Sequence, residues 1–175
     1  MADRQLWLAA NGAGRIEETR AGQPTSSSGR YEAGGLSPSP IAAGPAEGLQ
    51  DRLVHQNPGR TTAEWFATVT DIWNTQAVSP ALQAALLSIL ATRPDLHLDG
   101  TVTDRAGRAG IAVSIEVPGA PRTRDVLILS PTTGMLLGFE EIALESGDLP
   151  VKAPATIGYT LWLSSGHTTS TDTGL

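Results

Sequence analysis

The sequence predicts an α+β fold in which an antiparallel meander sheet of about six or seven strands packs against two consecutive helices. Two observations predict it. In the second half of the chain, short apolar segments alternate with turn clusters rich in Gly, Pro, Asp and Ser, which is the rhythm of an up-and-down antiparallel sheet. Ahead of them, two segments carry apolar residues at helical spacing behind clear start signals.

The chain begins with a predicted β-hairpin. Residues 5–10 are predicted to form a strand with Leu6, Leu8 and Ala10 on one face and Gln5, Trp7 and Ala9 on the other, and residues 15–19 return as the partner strand. Asn11-Gly12 between them readily supplies the positive φ angles of a hairpin turn. Because two strands alone are marginally stable, we expect this hairpin to join the same sheet as the later strands.

The next segment, residues 20–47, is half Gly, Pro and Ser. Such a composition buries too little apolar surface to offset its ordering entropy, so we predict a flexible loop, with a short helix over residues 46–56. The polar tail, residues 166–175, is predicted to be disordered. The length of 175 residues fits a single domain over residues 1–175.

Two helix starts follow. Thr61-Thr62-Ala63-Glu64 is a capping box and predicts a helix over residues 62–76. Ser79-Pro80 places an N-cap before a proline at the first helical position and predicts a helix over residues 80–93, which Pro94 ends. Both segments carry an apolar stripe for a core.

The predicted strands of the meander come next. Residues 111–117 alternate between apolar and small or polar residues, as in a strand with one buried face. Residues 126–129 are apolar on both faces, which predicts a central strand. Residues 135–145 and 156–164 complete the series, and residues 97–103 present a polar face at its start.

Composition excludes several classes of function. The net charge of −6 and the lack of a basic stripe argue against nucleic-acid binding. The absence of cysteine excludes disulfides, thiolate catalysis and cysteine-ligated metals. No apolar run approaches the roughly 20 residues that cross a bilayer, so we expect this chain to be soluble and any membrane attachment to use a segment outside it.

No motif predicts catalysis, a metal or a cofactor. Gly12-Ala13-Gly14 begins like a dinucleotide fingerprint, but a strand follows where the phosphate site needs a helix N-terminus. The three histidines lack ligand spacing, and adjacent glutamates such as Glu140 and Glu141 point to opposite faces of a strand. We therefore predict a protein that is not an enzyme and that uses no cofactor.

Two of the four tryptophans stand apart. Trp65 and Trp73 lie on a helical stripe and are predicted to be core residues. Trp7 and Trp162 each lie on the more polar face of a predicted strand. Either both faces of the sheet are partly covered, or Trp7 and Trp162 bind a ligand, which would be a small apolar molecule or a peptide.

Four segments together resemble a known family. The chain is similar to the extracytoplasmic domain of an uncharacterised actinobacterial family, whose members are usually single-pass membrane proteins often encoded near alternative sigma factors. The similarity lies in residues 6–15 (LWLAANGAGR), 79–86 (SPALQAAL), 100–113 (GTVTDRAGRAGIAV) and 130–138 (SPTTGMLLG). This chain departs from the family pattern at Ser130-Pro131, where the family reads Asp-Pro, and in lacking the membrane helix.

The resemblance implies an extracytoplasmic location, with membrane anchoring in the full-length relatives, and it carries over no catalytic residue. A weaker similarity to lipoprotein-carrier domains, in which a curved antiparallel sheet wraps helices around an apolar cavity, implies that the sheet is curved. The predicted function is a non-catalytic extracytoplasmic sensing or binding domain of unknown ligand. The alternatives are a lipid or lipoprotein carrier with an apolar cavity, and a protein–protein interaction or dimerisation module.

Overall fold

The structure, a computed structural model, describes residues 2–36 and 47–172 of the chain. These residues form three helices and two antiparallel sheets, one of four strands and one of five, so the α+β prediction is confirmed. A single sheet of six or seven strands is not confirmed. Contacts group the chain into two compact units: a first unit of Met1–Ala42, Asn74–Ala77 and Ser164–Leu175, and a second unit of Ala43–Trp73 and Val78–Leu163.

The four-stranded sheet lies in the first unit. Strands β1 (Ala2–Leu8) and β2 (Gly14–Arg20) form the predicted hairpin. Two short strands, β3 (Gln23–Pro24) and β4 (Gly29–Tyr31), then pair with β2. The expectation that the hairpin joins the later strands is therefore wrong, because the chain directly after it supplies the partners for β2.

The described part of the predicted flexible loop is tied to the hairpin turn. The Gly34 N–H donates to the Asn11 carbonyl and the Leu36 N–H donates to the Gly12 carbonyl, both at 2.9 Å. Gly12 has φ of 77°, as the turn requires. Residues 20–36 thus hold two short strands and a docked turn, while residues 37–46 of the same prediction lie outside the described residues.

Three helices precede the second sheet: α1 (Leu49–Gln56), α2 (Thr62–Thr75) and α3 (Pro80–Ala91). The capping box forms as predicted, since Thr61 Oγ1 accepts the Glu64 N–H while Glu64 Oε2 accepts the Thr61 N–H. The apolar row of α3 is buried, comprising Leu82, Ala85, Leu86, Ile89 and Leu90. Both predicted helices end one or two residues before their predicted C-termini, in the usual range of fraying.

The five-stranded sheet lies in the second unit and is the predicted meander, with its strands in chain order. All its described pairs are antiparallel. Strand β7 is the middle strand, as its apolar composition predicted. The strands are β5 (His97–Thr103), β6 (Ala109–Val117), β7 (Thr123–Leu129), β8 (Leu136–Ala143) and β9 (Ala155–Leu161).

Both faces of the central strands are buried. On one face Leu127 and Ile115 are almost inaccessible to solvent. On the other face Ala112, Val126 and Ile128 form a cluster against which Val102, Leu137 and Ile142 pack. Fully burying side chains of this size removes roughly 1.5–3 kcal/mol of unfavourable hydration for each, so the second unit carries a substantial core.

The remaining predictions of organisation are not decided. Residues 166–172 of the tail carry no helix or strand, and the last three residues lie outside the described part. Disorder of residues 166–175 and a single domain over residues 1–175 both stay predictions. In the described residues, no helix is long and apolar enough to span a membrane.

Candidate functional site

Trp7 lies on β1 directly opposite Arg15 of β2. The Arg15 guanidinium carbon is 3.9 Å from the centroid of the Trp7 ring, which is cation–π geometry. Trp7 is half-buried. The polar neighbourhood predicted for Trp7 is thus supplied by a cross-strand arginine, which already occupies part of its ring surface.

Trp162 directly follows β9. Its N–H donates to the Leu137 carbonyl at 3.0 Å, and its carbonyl accepts from Arg108 Nη1 at 2.8 Å. The side chain is half-buried. Trp7 belongs to the first unit and Trp162 to the second. A ligand site that includes both tryptophans stays a prediction.

Arg108 connects three strands of the five-stranded sheet. It lies at the turn between β5 and β6, where Asp104 Oδ2 accepts from its Nε at 2.7 Å. Its Nη2 donates to the Leu137 carbonyl at 2.8 Å. Together with the bond to Trp162, these contacts anchor the turn to β8 and to the end of β9. The role of Arg108 is therefore structural, and it positions the chain at the C-terminal end of β9.

Asp104 is the buried half of this ion pair, since its side chain is fully inaccessible. Burial raises the pKa of Asp104, but hydrogen bonds from the Arg108 backbone and side chain, with the Arg108 charge, outweigh burial and leave the pKa below its ordinary value. The carboxylate also accepts the Ala106 N–H at 2.9 Å.

A polar and aromatic cluster lies beside β9. Arg105 binds Glu140 through two nitrogens, at 2.9 and 3.2 Å. The Arg105 guanidinium carbon is also 4.7 Å from the centroid of the Tyr159 ring. Thr156 Oγ1 donates to Glu140 at 3.1 Å. We call Arg105, Glu140, Thr156 and Tyr159 the edge cluster. Its two charges neutralise each other, so it presents an aromatic surface without net charge.

Strand β9 forms one edge of the five-stranded sheet. It contains no charged residue, and none occurs between Lys152 and Asp172. Ile157 is 38% exposed and Tyr159 is 41% exposed. Among the described residues, no backbone hydrogen bond from a loop or turn reaches residues 155–161. The outer edge of β9 is thus uncharged and accessible.

The backbone of β9 has a defined outward set of groups. In antiparallel strands, the N–H and C=O of successive residues point alternately to the two sides. Because the Trp162 N–H points to β8, the groups of Thr160 and Gly158 also point to β8. The N–H and C=O of Tyr159 and Leu161 therefore point away from the sheet, where an additional strand would pair.

A carboxylate pair lies one strand further in. Asp125 of β7 and Glu141 of β8 are directly opposite each other. Burial, and then the Glu141 charge, raise the pKa of Asp125 to about 6. Glu141 Oε2 lies 3.3 Å from the point that a Gly158 side-chain carbon would occupy, so Gly158 leaves room for this carboxylate. Asp125, with its raised pKa, therefore binds a proton more readily than an exposed aspartate does.

Sequence reasoning missed this pair because the two residues are 16 positions apart and only the strand register brings them together. It examined Glu140 and Glu141 instead, and the structure separates these two as predicted. Glu140 binds Arg105 while Glu141 faces Asp125. No local sequence pattern fixes the β7–β8 register that brings Asp125 and Glu141 together.

The described residues contain no group of three or more His, Asp or Glu side chains arranged to hold a metal. A shallow groove of about 390 Å³ runs along α1 and is lined by Asp51, Arg52, His55 and Gln56. The groove is open and lies on one short helix, so it offers no enclosed cavity for a ligand. The clearest surface for recognition in the described chain is the β9 edge.

Comparison with known proteins gives no match that bears on this surface. No family model, no curated protein and no solved structure matches the chain. The resemblance to the actinobacterial membrane-protein family therefore stays a prediction.

Proposed function

We propose that the protein is a non-catalytic binding domain that recognises an extended peptide segment along β9. The observation that carries this proposal is the accessible, uncharged edge strand, whose Tyr159 and Leu161 backbone groups point away from the sheet. A peptide adding itself as a sixth strand pairs with these groups, and side-chain contacts then set its specificity.

The edge cluster supplies such contacts. Tyr159 presents an exposed ring that Arg105 holds in place from one side. An aromatic ring with few rotatable bonds loses little conformational entropy when it is covered by a partner. The predicted small apolar ligand is less well supported, because the exposed groups of β9 include backbone donors and acceptors that need hydrogen-bond partners.

We further propose that this binding takes place outside the cytoplasm. Support for the location comes from the family resemblance of residues 6–15, 79–86, 100–113 and 130–138. In the full-length relatives the membrane segment would anchor the domain, and the β9 edge would meet its partner at the cell surface.

Hydrogen exchange of single amides tests the binding proposal. The probe is a panel of synthetic seven-residue peptides of alternating Thr, Val and Tyr, with charged residues only at their ends. We expect a binding peptide to slow exchange at the Tyr159 and Leu161 amides, because these gain acceptors. Exchange at Gly158 and Thr160 should change little, because their amides already face β8.

An Ile157→Lys variant places a charge on the accessible edge and should weaken peptide binding. A Leu98→Lys variant is the matched control, because Leu98 is 74% exposed on β5, at the opposite edge of the same sheet. If no peptide in the panel protects either outward amide, or if protection appears on β5 instead, the proposal is wrong.

A further inference from the structure

We propose that the partner of β9 is a second copy of this chain, and this inference rests on the proposed function. Two β9 strands would pair antiparallel across a two-fold axis and join two five-stranded sheets into one of ten strands. An edge strand that pairs antiparallel with its own copy is self-complementary by symmetry, as a two-fold interface requires. Pairing in this way would satisfy the outward groups of Tyr159 and Leu161 in both copies at once.

The charge pattern favours a second copy. Around a two-fold axis, each side chain of β9 lies opposite the same residue or one of its near neighbours. A charged strand would therefore bring like charges together, which destabilises cross-strand pairs. Residues 155–161 carry no charge, and the nearby Arg105 and Glu140 neutralise each other within one copy. Self-pairing thus brings no like charges of β9 itself together, and the nearest carboxylate outside the Arg105–Glu140 pair is Glu141 of β8, beside Gly158.

The opposite edge of the same sheet shows how this protein protects a strand from pairing. On β5 the register shifts between Leu98 and Gly100, so Asp99 has no partner on β6. Gly100 has φ of 92°, and His97 and Asp99 are exposed. Bulges and charges are the usual protection of an edge.

Strand β9 has no charge to discourage pairing, although its register also shifts next to β8, where Ile157 is the extra residue. The shift lies in the N-terminal half of the strand. Residues 158–161 continue in regular register with β8. This regular half contains the outward groups of Tyr159 and Leu161, and it is the part expected to pair with the second copy.

Sedimentation velocity over a series of concentrations tests this inference. We expect wild type to show a monomer–dimer equilibrium that strengthens with added salt, because each copy carries a net charge of −6 that repels the other at long range. Tyr159→Lys should weaken dimerisation by about tenfold or more, since the lysines of both copies then lie within the paired segment. Leu98→Lys should dimerise like wild type.

A spectroscopic measurement locates the interface independently. The chain has no cysteine, so a Thr160→Cys variant accepts a single nitroxide label on β9, and a Leu98→Cys variant accepts one on β5. Self-pairing of β9 predicts dipolar coupling between the two Thr160 labels of a dimer that is stronger than between two Leu98 labels. Circular dichroism of each variant checks that the fold is kept.

The outcomes separate this inference from the proposed function. A wild-type chain that stays monomeric at all concentrations, yet shows peptide protection at Tyr159 and Leu161, rejects self-pairing and keeps peptide binding. A dimer that Tyr159→Lys leaves at wild-type strength, or in which the Thr160 labels are far apart, also rejects self-pairing. Absence of both dimer and peptide binding rejects both proposals.

Discussion

The two sheets of this protein are stabilised in different ways. In the four-stranded sheet, only Gly14 and Ile16 are buried among the strand residues. Its order comes from backbone contacts close in sequence, such as those that tie Gly34 and Leu36 to the turn at Gly12. In the five-stranded sheet both faces of β6 and β7 are buried, and so is the Asp104 carboxylate of the ion pair with Arg108. Local turn geometry specifies the first sheet, and long-range burial specifies the second.

Removing the buried carboxylate should affect the five-stranded sheet most. In Asp104→Ala, Arg108 loses its charge partner and the turn loses three hydrogen bonds to the carboxylate from Ala106 and Arg108. We expect the free energy of unfolding of the second unit to fall by about 3 kcal/mol. Because the native pKa of Asp104 is lowered, the stabilisation is present above its unfolded pKa and is lost as pH falls through the native value.

Urea unfolding measures this loss of free energy, and hydrogen exchange of the amides in β6 and β8 locates it in the five-stranded sheet. The control is Asp104→Ala combined with Arg108→Met, which removes the uncompensated charge but also the bonds to the Leu137 and Trp162 carbonyls, so its stability relative to Asp104→Ala shows which of the two matters more. Equal stability of Asp104→Ala and wild type would show that the ion pair is dispensable and that burial alone holds the five-stranded sheet.

A turn substitution should affect the four-stranded sheet. Gly12→Ala forces a side-chain carbon into positive φ, and that carbon would lie 2.9 Å from the Leu36 carbonyl oxygen. We expect a loss of about 1–2 kcal/mol, seen as faster amide exchange in β1, β2 and residues 34–36.

Gly22→Ala is the matched control for this prediction. Gly22 also has positive φ, at 79°, but nothing lies within 4 Å of the position of an added carbon. The Gly22→Ala variant therefore measures only the cost of placing alanine at positive φ, without a steric contact. If the two substitutions have the same effect, the contact with residues 34–36 contributes nothing and the turn acts by backbone conformation only.

The smallest expected effect concerns the carboxylate pair within the five-stranded sheet. The pKa of Asp125 is raised to about 6, from an unfolded value of about 4. The native state therefore binds more protons between these values, and wild-type stability should fall as pH rises from about 4 to about 6. Asp125→Asn should remove this fall and stabilise the protein above pH 6 by about 1 kcal/mol, after allowance for solvent screening.

Thermal unfolding of both proteins at a series of pH values checks this sign. Glu141→Gln should give a smaller gain, because it removes the repulsion but leaves Asp125 half-buried, and burial is the larger cause of the raised pKa. A wild-type protein whose stability rises between pH 4 and pH 6 in parallel with Asp125→Asn would contradict the assignment.

Much of the fold could be predicted from neighbouring residues. The hairpin at Asn11-Gly12, the caps at Thr61 and Ser79 and the order of strands β5–β9 all follow from signals within a few residues of each element. The pairing of β3 and β4 with β2 could not be predicted, because these strands are two and three residues long and lack an alternating pattern. Residues 23–31 are ordered by backbone pairing of β3 and β4 with β2, and not by their composition.

The candidate site was harder to predict. Trp7 and Trp162 were selected because each lies on the more polar face of its predicted strand. Arg15 lies over the Trp7 ring, whereas Arg108 binds the backbone carbonyl of Trp162. The edge cluster joins Arg105 of a turn to Glu140 and Tyr159, which lie 35 and 54 positions further along. No spacing rule connects residues so far apart in sequence.

Turn residues, helix caps and the alternation of apolar side chains specify the elements of this protein, because each acts through the backbone of its own neighbourhood. Which strand lies at an edge, which carboxylates face each other and which carboxylate is buried depend on strand register and on the exclusion of water. Those are properties of distant segments brought together, and they decide that β9 is the accessible edge while Asp125 meets Glu141.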